Sequence, residues 1–534
     1  MRRALALALL AGLAVPGCRR EVPGPPPERW LPADGSAALV VPELGRAARQ
    51  LGAVYRTVVA VPAAAALADA YGSVKAQLGF DPFEPRGLED AGLDPAAGAA
   101  VSWSKGRPPV AVLPVADLGR FDGTARRLAR DRLGAGQRVA TMGGGRQVVV
   151  FRREAAAPAA LAYAVAGRYA LVATGPDSAP AVIAAASVEE ARSLWRSPAF
   201  AEALAGLGEG LSALAFAPAR SPALAALPGA RDGAALGVRA SSRSLALRLW
   251  LRLEPDRAPG WAALAGSGPE AARAAGQEEA RLLAPDAALA VRWGGDLAAL
   301  WRRAHPFMPS RLTRALASAR LDLEGGLLSA LAPGAALSLS VAPTFTLTEF
   351  SSPSPDLRRA DPFRLVRLEV AARVRDPARV RAFSARVAQV APRFGARVIA
   401  RGPAWTLLYG RGQLGWSIQG ERLLLAGGPG RLEELERRIA AGEGGYQAPS
   451  AASRAALEGG VGGAVLDGQR LVASVQALPD EAYGTGPNAF VMRSLADRFL
   501  EPASQVLAAA LRFDLLPGGA VFNLEIEGRE APRL

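Results

Sequence analysis

The chain has 534 residues, of which 50% are hydrophobic and 21% are charged, and its formal net charge is +14. This composition is typical of folded globular protein, and the length suggests two to four domains. Cys18 is the only cysteine and His305 the only histidine, which excludes disulfides within the chain and zinc sites built from several such ligands. We therefore expect no metal and no other cofactor.

The positive charge is carried almost entirely by arginine, since Lys75 and Lys105 are the only lysines. Nucleic-acid-binding surfaces usually show basic residues clustered on one face, whereas these arginines are scattered along the chain. Their dominance, together with scarce asparagine, fits the coding bias of a G+C-rich genome. We predict no nucleic-acid partner, and only weak attraction to anionic lipid or lipopolysaccharide.

Residues 1–17 have the parts of a secretory signal peptide. Arg2 and Arg3 form a charged region, and Ala4–Val15 is an unbroken apolar run. That run is too short for a transmembrane helix, which needs about 20 apolar residues. The segment Val15–Cys18 lies at the end of this apolar run. An ordinary cleaved secretory peptide with an incidental cysteine is the alternative interpretation.

Val15–Cys18 resembles the lipobox of bacterial lipoproteins, with the small residue Gly17 directly before the cysteine. The resemblance implies that Cys18 is acylated on sulfur, that the chain is cut before it, and that the new amino end is acylated too. More than one acyl chain suits an anchor, because a single chain gives only marginal, reversible membrane binding. Arg19, where an aspartate would favour the inner membrane, implies the outer membrane. Residues 18–28 are proline-rich and are expected to form an extended tether.

Residues 29–254 are predicted to form a first domain of strands and helices. It opens with a strand at Ala37–Val41 and ends with the alternating segment Leu245–Glu254, whose leucines are expected to face the core while Trp250 and its polar neighbours face water. Asp117 is predicted to cap an amphipathic helix. The other predicted strands are Ala99–Trp103, Val110–Val115, Gln147–Arg152 and Leu161–Thr174.

Residues 281–534 are predicted to repeat this order, with residues 255–280 as a linker that contains a short helix. Asp376 is predicted as a helix cap, with Pro377 at the first helical position. A second helix is predicted at Leu432–Ile439. The predicted strands are Ala288–Trp293, Ala335–Val341, Leu365–Val374, Thr406–Tyr409, Gly415–Ala426 and Ala520–Gly528.

The two halves also match in sequence at one constant offset. The matched pairs are Gly167 with Gly420, Ala173 with Ala426, Gly175 with Gly428, and Pro176 with Pro429. The ordered series indicates a tandem duplication, and chance similarity between alanine-rich segments is the alternative. We therefore predict an α+β fold with two tandem homologous domains, each a largely antiparallel sheet with packed helices.

The layout resembles bacterial extracytoplasmic proteins of unknown function, often lipoproteins, whose repeats open with a Leu-Pro-Ala-Asp segment. Here that segment is Leu31–Asp34, and Ala284–Asp286 is a weaker second copy. The resemblance covers most of the mature chain and implies no catalytic residues.

Three short segments have the residue types of known sites. Ser102 and Lys105 have the S-x-x-K spacing of penicillin-binding enzymes, but that chemistry needs a helix start and this segment is predicted to end a strand. Gly143–Arg146 lacks the lysine and hydroxyl of a phosphate-binding loop and is predicted to be a turn. His305 precedes a proline at a predicted helix end and is interpreted as a capping or surface residue. Two further segments are predicted to be loops: Thr344–Pro362, which has no counterpart in the first half, and Tyr483–Asn488.

The sequence thus predicts a non-enzymatic lipoprotein of the cell envelope, anchored through Cys18 in the outer membrane and facing the periplasm. It would act as a binding or scaffold module for a protein partner or an apolar ligand. Two alternatives remain open: a periplasmic carrier of lipid or another apolar ligand, and a hydrolase of the cell envelope. An apolar cavity open to solvent would favour the carrier, whereas converging carboxylates or a contact between Ser102 and Lys105 would favour the hydrolase.

Overall fold

A computed structural model describes residues 24–529 except for 60–64, 144, 220, 225–231, 242, 255–257, 309, 343–365, 411, 444 and 484–486. The chain divides into two compact units, Met1–Glu254 and Pro255–Leu534. The signal peptide, Cys18, most of the tether and the loop Thr344–Pro362 lie outside the described residues.

The described strands of the first unit form one antiparallel sheet. They are β1 (Ala37–Val41), β2 (Ala99–Trp103), β3 (Val110–Pro114), β4 (Gln137–Gly143), β5 (Arg146–Arg152), β6 (Ala159–Ala166), β7 (Tyr169–Thr174), β8 (Ala213–Ala217), β9 (Ala234–Ala240) and β10 (Ser244–Arg252). Their order in the sheet is β4-β5-β6-β7-β3-β2-β1-β8-β9-β10. The helices are α1 (Leu44–Val59), α2 (Ala65–Leu78), α3 (Pro85–Asp90), α4 (Leu118–Leu133), α5 (Ser178–Ala186) and α6 (Pro198–Leu207).

The second unit contains a sheet of the same kind. Its strands are β11 (Leu289–Trp293), β12 (Leu331–Val341), β13 (Val366–Val374), β14 (Ala396–Arg401), β15 (Ala404–Tyr409), β16 (Gly412–Gln419), β17 (Arg422–Gly427), β18 (Gly462–Asp467), β19 (Val506–Leu516) and β20 (Gly519–Gly528). Its helices are α7 (Ala258–Ala262), α8 (Pro269–Ala280), α9 (Leu297–Ala304), α10 (Ser310–Ser318), α11 (Leu323–Gly326), α12 (Pro377–Val390), α13 (Arg431–Ala440), α14 (Ala451–Glu458), α15 (Gly468–Gln476) and α16 (Pro487–Gln505).

The two units have the same topology. The second sheet runs β14-β15-β16-β17-β13-β12-β11-β18-β19-β20, which is the first order with every strand replaced by its counterpart. Helices follow the first, third and seventh strand in each unit. One connection differs: α15 and α16 join β18 to β19, where the described part of the first unit has only the short 3₁₀ turn Pro222–Leu224. The antiparallel sheets with packed helices confirm the predicted α+β class.

Side-chain caps begin two of the predicted helices. Asp117 accepts a hydrogen bond from the backbone N–H of Arg120 at 3.0 Å at the start of α4. Asp376 accepts one from the backbone N–H of Arg379 at 3.0 Å, and Pro377 occupies the first turn of α12. Each cap satisfies a donor that the helix itself leaves unpaired. Both predicted caps are confirmed.

The closing strand of the first unit differs from its prediction, because its second face is also covered. Trp250, expected to face water, is only 4% exposed and lies against α6. A Cβ atom added at Gly206 in this helix would lie 2.4 Å from Cδ1 of Trp250, so the glycine lets the helix approach the ring. Alternation within one strand shows which side chains share a face, but not whether a helix packs on that face.

Residues 255–280 also differ from the expected linker. The described part of this segment forms α7, a 3₁₀ turn at Ala263–Ala265 and α8, all within the second unit. Ala272 and Glu279 on α8 are fully buried, and Trp261 on α7 is 7% exposed. These helices therefore help to build the second unit rather than merely connect two domains.

Helices pack on both faces of the second sheet. On one face α8, α13 and α14 pack over small and aliphatic residues such as Ala290, Leu424 and Val465. On the other face α9 and α12 pack over a cluster that includes Leu331 and Trp416. We call this second side the cleft face, because α9 and α12 leave part of it uncovered.

Candidate ligand-binding cleft

Four residues form a row across the cleft face of the second sheet. Trp293 in β11 pairs with Gly462 in β18, Gly462 pairs with Phe513 in β19, and Phe513 pairs with Phe522 in β20. Directly paired residues of antiparallel strands project to the same side of the sheet. The pairing therefore collects three aromatic side chains from distant parts of the chain on one face.

Gly462 allows the rings on either side of it to meet. The rings of Trp293 and Phe513 stack with centroids 5.7 Å apart and an interplanar angle of 9°. A Cβ atom at Gly462 would lie 2.5 Å from Cε3 of Trp293, closer than carbon atoms approach without displacement. The absence of a side chain at this position is therefore what lets the indole lie over the strand.

A fourth ring and α9 complete the walls of an open cleft. The ring centroid of Trp261 on α7 lies 6.3 Å from that of Phe513 and 6.4 Å from that of Phe522. The cleft has a volume of about 390 Å³, within the usual range for small-molecule sites. It opens to solvent, since Leu511 in its wall is 41% exposed. Other lining residues are Leu264, Val291, Leu300, Ala304 and Ala464. We call this the aromatic cleft.

One charged side chain contributes its head group to the cleft. Arg303 on α9 lines the cleft and is exposed at its solvent edge, where its guanidinium carbon lies 3.7 Å from the ring centroid of Trp261. Partial burial lowers the pKa of Arg303, and no carboxylate among the described residues counteracts this. The indole Nε1 of Trp293 is buried and has no hydrogen-bond partner in the described part of the chain. The site therefore offers apolar rings and a cation, with no acidic group among its lining residues.

Arg292 holds the strand that carries Trp293 from the opposite face. It is 1% exposed, and it donates hydrogen bonds to the backbone carbonyls of Gly459 and Gly460, the latter at 3.1 Å. These carbonyls follow the end of α14 and directly precede β18, where a cation is favoured by the helix dipole. Burial lowers the pKa of Arg292 to about 10. Arg292 therefore positions the approach to Gly462 and is not itself a ligand-binding group.

A second apolar cleft, of about 350 Å³, lies on the same face of the second sheet. Val387 of α12 and Leu407 of β15, which line it, also belong to the hydrophobic cluster under α12. Tyr409 is the only residue with a polar side-chain atom in its lining. The other residues that define it are Ala319, Leu321, Val387, Val390, Phe394, Leu407 and Leu414. It contains no charged side chain and so offers no group that would orient a ligand.

Ser102, Lys105, Gly143, Arg146 and His305 are not among the residues that line the aromatic cleft. Ser102 is buried within β2 and pairs with Val110, whereas Lys105 is exposed in the turn after the strand, so they do not share a helix start. Gly143 and Arg146 pair as the ends of a hairpin, which confirms the predicted turn. His305 follows α9 as predicted, and its ring lies 5.4 Å from that of Trp301.

Two features are absent from the described residues. No group of three or more His, Cys, Asp or Glu side chains there could hold a metal ion. Across the same part of the chain, no helix combines the length and the hydrophobicity that crossing a bilayer requires.

Sequence reasoning did not single out the aromatic cleft. Trp293 was predicted to lie in a strand but was given no functional role, and Trp261 lay within the segment that was expected to be a linker. Phe513 lies in β19, which was not predicted at all. One signal was available: the second half carries Trp and Phe residues that have no aromatic counterpart in the matching segments of the first half.

No protein-family model and no curated protein matches this chain. Two solved structures match at low similarity. The structure of crystal form III of TP0453 has a TM-score of 0.26 and 8% sequence identity, over 43% of this chain and 81% of that chain. The structure of crystal form I of TP0453 has a TM-score of 0.25 and 11% identity, over 44% of this chain and 81% of that chain. Similarity at this level identifies neither a shared fold nor a shared function.

Proposed function

We propose that this protein is a membrane-anchored, non-enzymatic lipoprotein of the cell envelope that binds an apolar ligand in the aromatic cleft of its second unit. The aromatic cleft is the observation that carries the proposal. An apolar cavity open to solvent is the feature that favours a carrier or binding module over a scaffold without a ligand.

The cleft leaves aromatic and aliphatic surface in contact with water. Covering apolar surface yields about 25 cal/mol per Å², so each 100 Å² that a ligand covers contributes roughly 2.5 kcal/mol. Trp261, Trp293, Phe513 and Phe522 supply such surface on rigid elements, which keeps the entropic cost of ordering the site low. A ligand with a flat or chain-like apolar body fits these walls best.

Ligand binding is assigned to the second unit because the first lacks the same side chains. Val41 ends β1 where Trp293 ends β11, and Ala213 begins β8 where Gly462 begins β18. The next two residues of the row in the first unit are Val238 and Leu247, paired as Phe513 and Phe522 are in the second. We infer that the units arose by tandem duplication and that the aromatic row belongs to one copy.

The anchor is proposed from the sequence segment that ends at Cys18. Acylation of Cys18 would hold both units at a membrane surface, with residues 19–28 as the spacer. The partners implied are thus the membrane, through its lipid anchor, and an apolar ligand.

Binding of the neutral probe N-phenyl-1-naphthylamine, whose fluorescence rises in apolar surroundings, tests the proposal. The protein is used from residue 19 onward, so that no acyl chain competes for the site. Ala464→Phe should fill the cleft and weaken binding by about tenfold or more, equivalent to at least 1.4 kcal/mol. Ala215→Phe is the matched control, because Ala215 is the third residue of β8 as Ala464 is of β18.

The control should bind the probe as the unaltered protein does. Two results would overturn the proposal: no saturable binding by the unaltered protein, or equal loss of binding in both variants.

A further inference from the structure

Among the described residues Arg303 has no acidic partner, unlike its neighbour Arg302. The adjacent Arg302 forms a salt bridge to Glu324 at 2.7 Å. Arg303 instead stacks on Trp261, and burial is the sole cause of the lowered pKa of its guanidinium. A cation that is partly desolvated without a counter-ion gains free energy when an anion reaches it.

The position of Arg303 matches one end of an elongated ligand. It lies at the solvent edge of the aromatic cleft, whereas the interior is lined by rings and aliphatic side chains. The contact with Trp261 holds the guanidinium carbon over the indole ring, at 3.7 Å from its centroid. A planar guanidinium held in this way donates two parallel hydrogen bonds to a carboxylate or phosphate.

The lining also excludes the opposite charge. No aspartate or glutamate lines the aromatic cleft, so a cationic head group would meet only Arg303 and would be repelled. A neutral apolar molecule would leave the guanidinium without a partner.

We infer that the ligand of the aromatic cleft is an amphipathic anion, an inference that rests on the proposed function. Its apolar body lies among Trp261, Trp293 and Phe513, and its carboxylate or phosphate head group is bound by Arg303 at the solvent edge. Free fatty acids and single-chain phospholipids share this chemistry.

Competition for bound N-phenyl-1-naphthylamine tests the inference with ligands that share one chain and differ in the head group. Dodecanoate, dodecyl phosphate, dodecanol and dodecyltrimethylammonium are compared below the concentrations at which they form micelles. With the unaltered protein, at least one of the two anions should compete about tenfold more tightly than dodecanol, because only the anions can pair with the guanidinium of Arg303. The cation should be the weakest competitor. Preference for dodecanoate over dodecyl phosphate, or the reverse, distinguishes the two ligand sources.

Variants of Arg303 separate its charge from its packing. Arg303→Met keeps an unbranched side chain on Trp261 and should abolish the preference for anions over dodecanol. Arg303→Lys should restore part of the preference. Arg302→Met is the matched control and should retain the full preference.

Equal competition by the anions and dodecanol, or an anion preference that survives in Arg303→Met, would overturn the inference while leaving the proposed function in place. Failure of the probe to bind at all would overturn the proposed function, and the inference with it.

Discussion

The stacked pair Trp293 and Phe513 should depend on the absence of a side chain at Gly462. In Gly462→Ala the new methyl group would lie 2.5 Å from Cε3 and 2.6 Å from Cζ3 of Trp293, so the indole or the strand must move. Overpacking of this kind costs about 1–3 kcal/mol. With a Tm change of about 2–4 °C per kcal/mol for a domain of this size, the second unit should melt roughly 2–12 °C lower.

The same substitution should cost little once the ring is gone. The first unit has Val41 and Ala213 at the corresponding strand positions, so Trp293→Val with Gly462→Ala recreates a pair that this topology already accommodates. We expect Gly462→Ala to cost less than about 0.5 kcal/mol in the Trp293→Val background, giving a coupling energy of at least about 0.5 kcal/mol.

Urea unfolding of the full chain and of the three variants measures this coupling. Amide hydrogen exchange in β11 and β18 assigns the change to the second unit, because two units need not unfold in one transition. An equal cost of Gly462→Ala in both backgrounds would show that the glycine is required for another reason, and would refute the stacking argument.

Two further predictions concern the first unit and the anchor. Burial raises the pKa of Asp81, but hydrogen bonds from Tyr71 and Lys75 outweigh this effect and hold the pKa below its usual 3.8. The ionised carboxylate therefore stabilises the first unit above pH 3.8, and this contribution is lost as the pH falls through the folded-state pKa. Asp81→Asn should therefore cost about 2 kcal/mol at neutral pH, and urea unfolding should show the difference from the unaltered protein shrinking below pH 3.8; a constant difference would contradict it. Cys18→Ala should abolish acylation and move the protein from the membrane to the soluble fraction, with Ser102→Ala as a neutral control; unchanged membrane association would refute the anchor.

Local sequence signals predicted the elements that local chemistry controls. Asp117 and Asp376 cap their helices as predicted, because a cap depends on only three or four adjacent residues. The strand Ala37–Val41 was predicted with its observed bounds. By contrast, β4 was missed, since all but the last of its residues are exposed and it has no alternation of apolar and polar positions.

The aromatic cleft could not be predicted in the same way, because it depends on strand pairing rather than on any segment. Trp293 and Phe513 meet only because β18 lies between their strands and presents Gly462 at the matching position. The register of three strands decides this, and a shift of one residue would turn every side chain to the other face. Nothing near Gly462 in the sequence distinguishes it from the other glycines of the chain.

The two faces of the second sheet differ in whether their charged side chains have partners of opposite charge. On the face away from the aromatic cleft, buried carboxylates are matched by arginines: Glu279 by Arg422 at 3.4 Å, and Glu369 by Arg431 at 2.9 Å. Burial raises the pKa of both glutamates, and the arginines counteract that increase. On the cleft face, Arg303 lines the cleft without an acidic partner among the described residues. Unlike Glu279 and Glu369 on the opposite face, Arg303 thus carries a charge that has no described partner of opposite charge, and this is the charge that the proposed anionic ligand would neutralise.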